Sequence, residues 1–297
     1  MRVLVTGATG FVGERLIEPL LEAGHEVRVF VRDAGGYDGP RGVDVYEGDL
    51  LDPATIPEAM EDVDAVYYLV HSMKSGGEFE EMDRRIAANV RDAASEAGVS
   101  RMIYLGGLGD ERDELSGHLR SRREVEYVLR EGDYELTSLR AAIIIGAGSA
   151  SFQLIEQLAH RLPVMVTPRW VRTDCQPIAI DDVVAYLVGV LEVPETAGET
   201  LEIGGPDVLT YQTMLHRTSE LLDKRQVIVP VPVLTPKLSA YWLDLVTDVP
   251  RDVAHPLVSG LKNPVVVTDD RIREHLPLEL TSFDTAVRRA LDDESEK

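Results

Sequence analysis

Gly7, Gly10 and Gly13 stand three residues apart between the apolar run Val3-Leu4-Val5 and a segment of helical periodicity. A chain that turns from strand to helix on glycine can bring the backbone of Gly7, Thr9, Gly10, Phe11, Val12 and Gly13 close to a ligand. The partial positive charge of the helix N-terminus then favours an anion such as a pyrophosphate. The loop lacks the Gly-Lys-Ser/Thr ending of a nucleotide-hydrolysing phosphate loop, which argues against kinase or ATPase chemistry. A second group of candidates is titratable. His118 and Arg122 are four residues apart in a helical pattern and therefore share one face, and His71-Ser72 follows a β-branched run. His25, His160, His216 and His255 have no partners at metal-ligand spacing, so no metal is expected. Cys175 is the single cysteine; it excludes a disulfide framework and reads as a buried structural thiol rather than a nucleophile.

Positioning these residues requires alternating strands and helices. Strands are expected at Arg2 to Thr6, Glu26 to Val31, Val43 to Glu47, Ala65 to Val70, Arg101 to Leu105 and Glu135 to Leu139. Helical spacing runs through Phe11 to Ala23, Pro53 to Met60, Glu78 to Ala97 and Ser116 to Glu131, with Gly24, Gly98 and Gly132 just past three of the ends. This βαβ rhythm predicts an α/β fold, a doubly wound parallel Rossmann sheet, over residues 1–148. Beyond it, proline becomes frequent and helices at Ala150 to Arg161, Asp181 to Glu192, Tyr211 to Asp223 and Phe283 to Asp292 are joined by irregular loops. Residues 149–175 and 205–297 are expected to form a smaller mixed lobe lining a substrate cleft, while 176–204 returns to the first lobe. In an open sheet the second strand ends beside the adenosine ribose, where a carboxylate takes a 2'-hydroxyl and an arginine a 2'-phosphate. This strand ends Phe30-Val31-Arg32-Asp33, so Arg32 favours NADP(H) and Asp33 leaves NAD(H) open.

The Gly-x-x-Gly-x-x-Gly spacing after Thr6 resembles the short-chain dehydrogenase/reductase superfamily. Gly48-Asp49-Leu50 looks like its adenine-contacting acidic turn, and Leu139-Arg140 followed by Gly146 like the segment closing over the nicotinamide. The likeness covers most of residues 1–192 and is nearest to the atypical, extended branch, which includes NmrA-like proteins and the Rossmann-type accessory subunit of respiratory complex I. Tyr68-Leu69-Val70-His71-Ser72-Met73, Tyr104-Leu105-Gly106-Gly107-Leu108 and His118-Leu119-Arg120-Ser121-Arg122 look like a bacterial and archaeal group of NAD(P)H-binding oxidoreductases. The resemblance implies Gly7 to Gly13, Arg32, Asp49, Leu50, Val70 and His71 as cofactor-binding residues. It also implies a Tyr-x-x-x-Lys pair and a serine, which this chain lacks: His118 and Arg122 take the spacing of the pair, and Gly106-Gly107 stands at the serine. His118 can donate a proton near neutrality, provided a carboxylate such as Asp110 or Glu114 offsets the adjacent guanidinium; Arg122 can hold a ribose. His71 is the second catalytic candidate. Three functions follow: reduction or oxidation of a small or lipophilic carbonyl, a nucleotide-binding sensor or assembly subunit without turnover, and nucleotide-sugar epimerisation or dehydration, which would need Tyr104 or Tyr127 at the nicotinamide.

The chain of 297 residues carries 52 carboxylates against 30 basic residues, a formal charge of -22. The charge is spread, -13 over residues 1–150 and -9 over 151–297. Such a balance repels a phosphate backbone and excludes nucleic acid as a partner. It fits either an evenly solvated acidic surface or a salt-rich cytoplasm. No apolar run is long enough for a membrane span and no signal-peptide pattern opens the sequence, so a cytoplasmic location is expected. Val227 to Val249 is unusually apolar. Its Leu238, Tyr241, Trp242 and Leu245 form one helical stripe, either core of the small lobe or an exposed lip toward an isoprenoid, a quinone, a membrane surface or a membrane enzyme. Arg161, Arg169 and Arg172 near Trp170 suit a carboxylate or diphosphate, or simply pair with surface carboxylates.

Overall fold

The computed structural model describes residues 1–71, 79–109, 117–231, 248 and 263–295, and only the backbone of 79, 118, 166, 168–170, 230–231 and 295. In chain order the first half contains β1 (Arg2–Thr6), α1 (Gly13–Glu22), β2 (Glu26–Val31), β3 (Asp44–Glu47), α2 (Pro57–Met60), β4 (Ala65–Tyr68), α3 (Phe79–Glu96), β5 (Arg101–Gly107), α4 (Gly117–Arg130) and β6 (Glu135–Ala141). Apolar residues fill β1 and β2 almost without alternation because both faces of the sheet are covered, as parallel sheets require.

The second half continues with β7 (Ile144–Ile145), α5 (Ala150–Arg161), β8 (Val164–Pro168), β9 (Asp174–Cys175), β10 (Ile178–Ala179), α6 (Ile180–Glu192) and β11 (Thr200–Ile203). It closes with β12 (Leu209–Thr210), α7 (Tyr211–Leu221), β13 (Val227–Val231), α8 (Arg271–His275) and α9 (Phe283–Ser295). Seven strands form one parallel sheet in the order β11-β6-β5-β4-β1-β2-β3. The order reverses between β1 and β4, and the crevice beyond their carboxyl ends is where such sheets bind ligands.

On one face Leu16, Ile17 and Leu20 of α1 and Val183 and Leu187 of α6 cover Val3, Val5 and Val29. On the other, Ile86, Ala87 and Val90 of α3 and Val125 and Leu129 of α4 cover Leu4, Val66 and Met102. A third cluster joins Phe152 and Ile155 of α5, Met214 of α7 and Val287 of α9. Cys175 lies within that cluster, and burial pushes its thiol up to about 12, which makes it inert at neutral pH.

Several expected elements are shorter than the pattern suggested, among them β4 and the helix at Pro53 to Met60. β4 stops at Tyr68, because its neighbour β1 ends at Thr6 and the glycine loop takes the place of further pairing. The span from Pro53 to Met60 divides into a single 3-10 turn at Pro53–Thr55 and the one-turn α2, since Pro57 has no N–H with which to carry a helix through. Of the apolar span Val227 to Val249, β13 pairs in parallel with β8, leaving Val164, Val227 and Val229 exposed. The stripe Leu238, Tyr241, Trp242 and Leu245 lies outside the described residues. Among the described residues no helix is long and apolar enough to cross a membrane.

Candidate nucleotide site

The loop between β1 and α1 is built so that only glycine fits at its two ends. Gly7 has φ +73°, and a Cβ there would stand 2.8 Å from the carbonyl oxygen of Leu69. At Gly13 a Cβ would stand 2.2 Å from the carbonyl oxygen of Gly7. The Gly10 amide donates to the Gly7 carbonyl at 3.0 Å, and Thr6 Oγ1 donates to the Tyr67 carbonyl at 3.0 Å, fixing the loop to β4. Thr9 and Gly10 remain exposed while Phe11 and Val12 are half-buried. The backbone thus approaches backbone closely at the amino end of α1, the kind of strand-to-helix turn at which an anion can be bound.

At the end of β2, Arg32 and Asp33 part in role. Asp33 Oδ1 accepts the Gly36 amide at 3.2 Å, and Glu47 Oε2 accepts the Ala34 amide at 2.8 Å, so both nearby carboxylates serve the loop backbone. Arg32 is exposed and makes no hydrogen bond or ion pair among the described residues. At the end of β3, Asp49 turns on its own loop: Oδ1 accepts the Leu51 amide at 2.9 Å, and the Asp49 amide donates to Thr55 Oγ1 at 3.1 Å. Leu50 is buried against the α3 face, and its carbonyl accepts Asn89 Nδ2 at 2.8 Å. Val70 packs half-buried against the same cluster.

Beyond β4 the structure assembles polar groups that the sequence scatters. His71 Nδ1 is 3.0 Å from Asp83 Oδ2, and Ser121 Oγ donates to the same oxygen at 3.1 Å. Asp83 and Ser121 are almost fully buried. Arg122 Nη1 donates to the Leu105 carbonyl at 3.3 Å, and the Tyr104 hydroxyl donates to the Arg122 carbonyl at 2.9 Å. Burial, followed by the nearby Arg122 guanidinium, lowers the His71 pKa to about 4 against the opposing pull of Asp83. Asp83 and Ser121 thus link His71 to α4, the helix that carries Arg122, and burial keeps the imidazole neutral at pH 7. His118 falls in the first turn of α4; its side chain and residues 110–116, with Asp110 and Glu114, lie outside the described residues.

Asp83 carried no motif and Ser121 only stood inside the run His118 to Arg122, yet each left a further trace. Asp83 continues the stripe Ile86, Ala87, Val90 and Ala94, and Ser121 the stripe Val125 and Leu129, so both are polar residues on core-facing positions. Arg140 forms a two-pronged pair with Glu126, Nε to Oε2 at 3.0 Å and Nη2 to Oε1 at 2.8 Å. Glu126 is buried, and after the opposing cost of burial the Arg140 bonds and charge hold its carboxyl below the usual range. Arg140 thus ties α4 to β6. Of the arginines that the sequence grouped near Trp170, Arg161 pairs with Asp248 and Arg172 is exposed, while the Arg169 and Trp170 side chains lie outside the described residues.

The buried His71 makes stability depend on pH. Its pKa is about 4 in the fold against 6.5 as its ordinary value, so the unfolded chain binds the proton first. The contribution is complete above pH 6.5 and is lost as pH falls toward 4. Urea unfolding is expected to show about 2 kcal/mol less loss between pH 7.5 and 5 in His71→Asn than in the parent chain. Equal losses in the two proteins would contradict the placement of His71.

Comparison with known proteins agrees with this geometry. A family model described as NAD(P)H-binding matches residues 7–158. The mitochondrial subunit 9 of the NADH dehydrogenase [ubiquinone] 1 alpha subcomplex of Arabidopsis thaliana is 26% identical over 94% of this chain and 73% of its own length. The crystal structure of the Citrobacter sp. triphenylmethane reductase complexed with NADP(H) superposes with a TM-score of 0.78 at 20% identity, covering 98% of this chain and 100% of that one. A nucleoside-diphosphate-sugar epimerase from Staphylococcus aureus superposes with a TM-score of 0.78 at 16% identity, covering 97% and 100%. The doubly wound sheet, the glycine loop at its switch point and a family match over just more than half of the chain lead to one assignment: the chain belongs to the NAD(P)H-binding family, and it shares its fold with solved reductases and epimerases.

Proposed function

We propose that the protein is an NADP(H)-dependent oxidoreductase of the atypical short-chain type, acting on a small or lipophilic carbonyl compound. The observation that carries this reading is the glycine cradle at the switch point, in which Gly7 lies against the backbone of Leu69 and Val70 and Gly13 against that of Gly7 and Ala8, with an unengaged guanidinium at Arg32. The bound nicotinamide would supply or accept hydride. The Gly7 to Gly13 backbone would receive the pyrophosphate and Arg32 the 2'-phosphate. Neutral His71, held by Asp83, would position cofactor or substrate by hydrogen bonding rather than donate a proton at pH 7. His118, on the sequence argument, would be the proton donor. Residues 1–148 with 176–204 would hold the nucleotide, and residues 149–175 and 205–297 would wall the cleft.

A second reading, a nucleotide-binding assembly subunit or sensor without turnover, is favoured by the missing Tyr-x-x-x-Lys pair and by the likeness to a complex I subunit. Epimerisation is supported less. The Tyr104 hydroxyl is committed to the Arg122 carbonyl inside the core, and Tyr127 is 50% exposed on α4.

The test is a screen of quinones, enals and sugar nucleotides for NADPH oxidation, with Arg32→Ala alongside. Turnover of a carbonyl is expected, and the variant should bind NADPH about 30-fold more weakly with NADH affinity unchanged, the value of charge-assisted bonds to a phosphate. Tight binding without turnover across the panel would move the reading to the assembly subunit, and equal loss of both nucleotides would remove Arg32 as the selector.

A further inference from the structure

We infer that Arg15 is a positioning residue that couples the nucleotide loop to the second lobe. Arg15 lies on α1 one turn after the glycine loop. Its Nη1 donates to the Phe11 carbonyl at 2.8 Å, and its Nη2 donates to the Ala147 carbonyl, 132 residues away, at 2.8 Å. The guanidinium stands 4.7 Å from the centre of the Phe11 ring. The ring also packs against the α1 face of the sheet and against the chain after β7, where a Cβ on Gly146 would come within 3.1 Å of Phe11 Cζ.

Phe11 is thus held by guanidinium and by Gly146, while its backbone belongs to the anion-binding turn. The loop it touches is itself constrained. Gly148 has φ +86°, and Ser149 Oγ donates to the Ile144 carbonyl at 2.8 Å and caps α5 by accepting the Phe152 amide. From Ser149 the chain enters α5, whose Phe152 and Ile155 anchor the second-lobe core. Ala147 and Gly148 also wall a cavity of about 480 Å³ with Gln153, Glu156 and Gln157 of α5. A pyrophosphate that orders the amides at Phe11 therefore orders, through one side chain, the loop that sets where α5 starts. Nη1 also pairs with Glu14 Oε1, and the reach of one planar guanidinium to the Phe11 and Ala147 carbonyls from two different nitrogens makes the link specific to arginine, since an ammonium presents no fork.

This inference rests on the nucleotide reading, and the experiment separates the two. Amide hydrogen exchange of the full chain is followed with and without saturating NADPH, in the parent, Arg15→Met and Arg15→Lys. NADPH is expected to slow exchange over 146–161 by about tenfold in the parent and by less than about twofold in Arg15→Met, although both are saturated and both protect residues 7–13. Arg15→Lys, which keeps the charge on a single donor nitrogen, should fall between them and serves if the methionine variant is unstable. Equal protection of 146–161 in parent and variants, or none in the parent despite protection of 7–13, would overturn the coupling. Absence of protection at 7–13 in the parent would overturn the nucleotide reading itself, and the coupling with it.

Discussion

Replacing Gly13 by alanine is expected to weaken NADPH binding by about 100-fold, the loss of two charge-assisted amide contacts to a phosphate. The added methyl would sit 2.2 Å from the Gly7 carbonyl oxygen and 2.9 Å from Ala8 Cα, both backbone atoms, so the loop and the start of α1 must separate. The amides that converge on the pyrophosphate then no longer converge. Gly10→Ala is the internal control. Its Cβ would meet the Gly7 oxygen at 3.2 Å, a contact relieved by a few tenths of an ångström, and its loss of affinity should be no more than about tenfold. Calorimetric titration measures both, with thermal unfolding to show that each variant folds. Parent-like affinity in Gly13→Ala would mean that the loop is not the phosphate cradle.

His118→Ala is expected to lower turnover by about 100-fold while nucleotide affinity stays within about twofold, the pattern of a lost general acid rather than a lost binding contact. The chain's own electrostatics explain why this position, and not His71, is assigned the proton. His71 is buried beside Arg122 and its pKa of about 4 leaves almost no imidazolium at pH 7. An acid is still needed if a carbonyl becomes an alcohol, and among the sequence candidates His118 is the one left to supply it. Turnover measured with a substrate found in the screen decides the matter. Unchanged turnover in the variant would discard His118 as the donor, and a parent protein that binds nucleotide without turnover would favour the assembly subunit.

Much of the fold was legible in periodicity. β1 and β2 occupy Arg2–Thr6 and Glu26–Val31, as their β-branched runs indicate, and α5 occupies Ala150–Arg161 between a serine cap and a prolyl turn. The glycine loop was legible too, because its position between strand and helix decides its conformation. What was not legible depends on contacts far apart in sequence. The pattern could not say that β4 ends where β1 does, since the end is set by a neighbouring strand. Nor could it join His71 to Asp83 and Ser121, which meet because α3 and α4 lie side by side on one face of the sheet. Asp83 and Ser121 were discoverable as polar residues on apolar stripes, a pattern that signals a buried network. Arg15 had no such signature, because one arginine after a glutamate on a helix reads as solvated surface.

The acidic composition bears on how the central claim should be tested, because a chain of charge -22 repels an anionic cofactor unless salt or local basic groups offset it. The most direct measurement is calorimetric titration of the purified protein with NADPH and with NADH, in high salt and in low salt. Saturable binding of both nucleotides at one site per chain is expected, with NADPH the tighter. Failure of either nucleotide to bind in both buffers would contradict it.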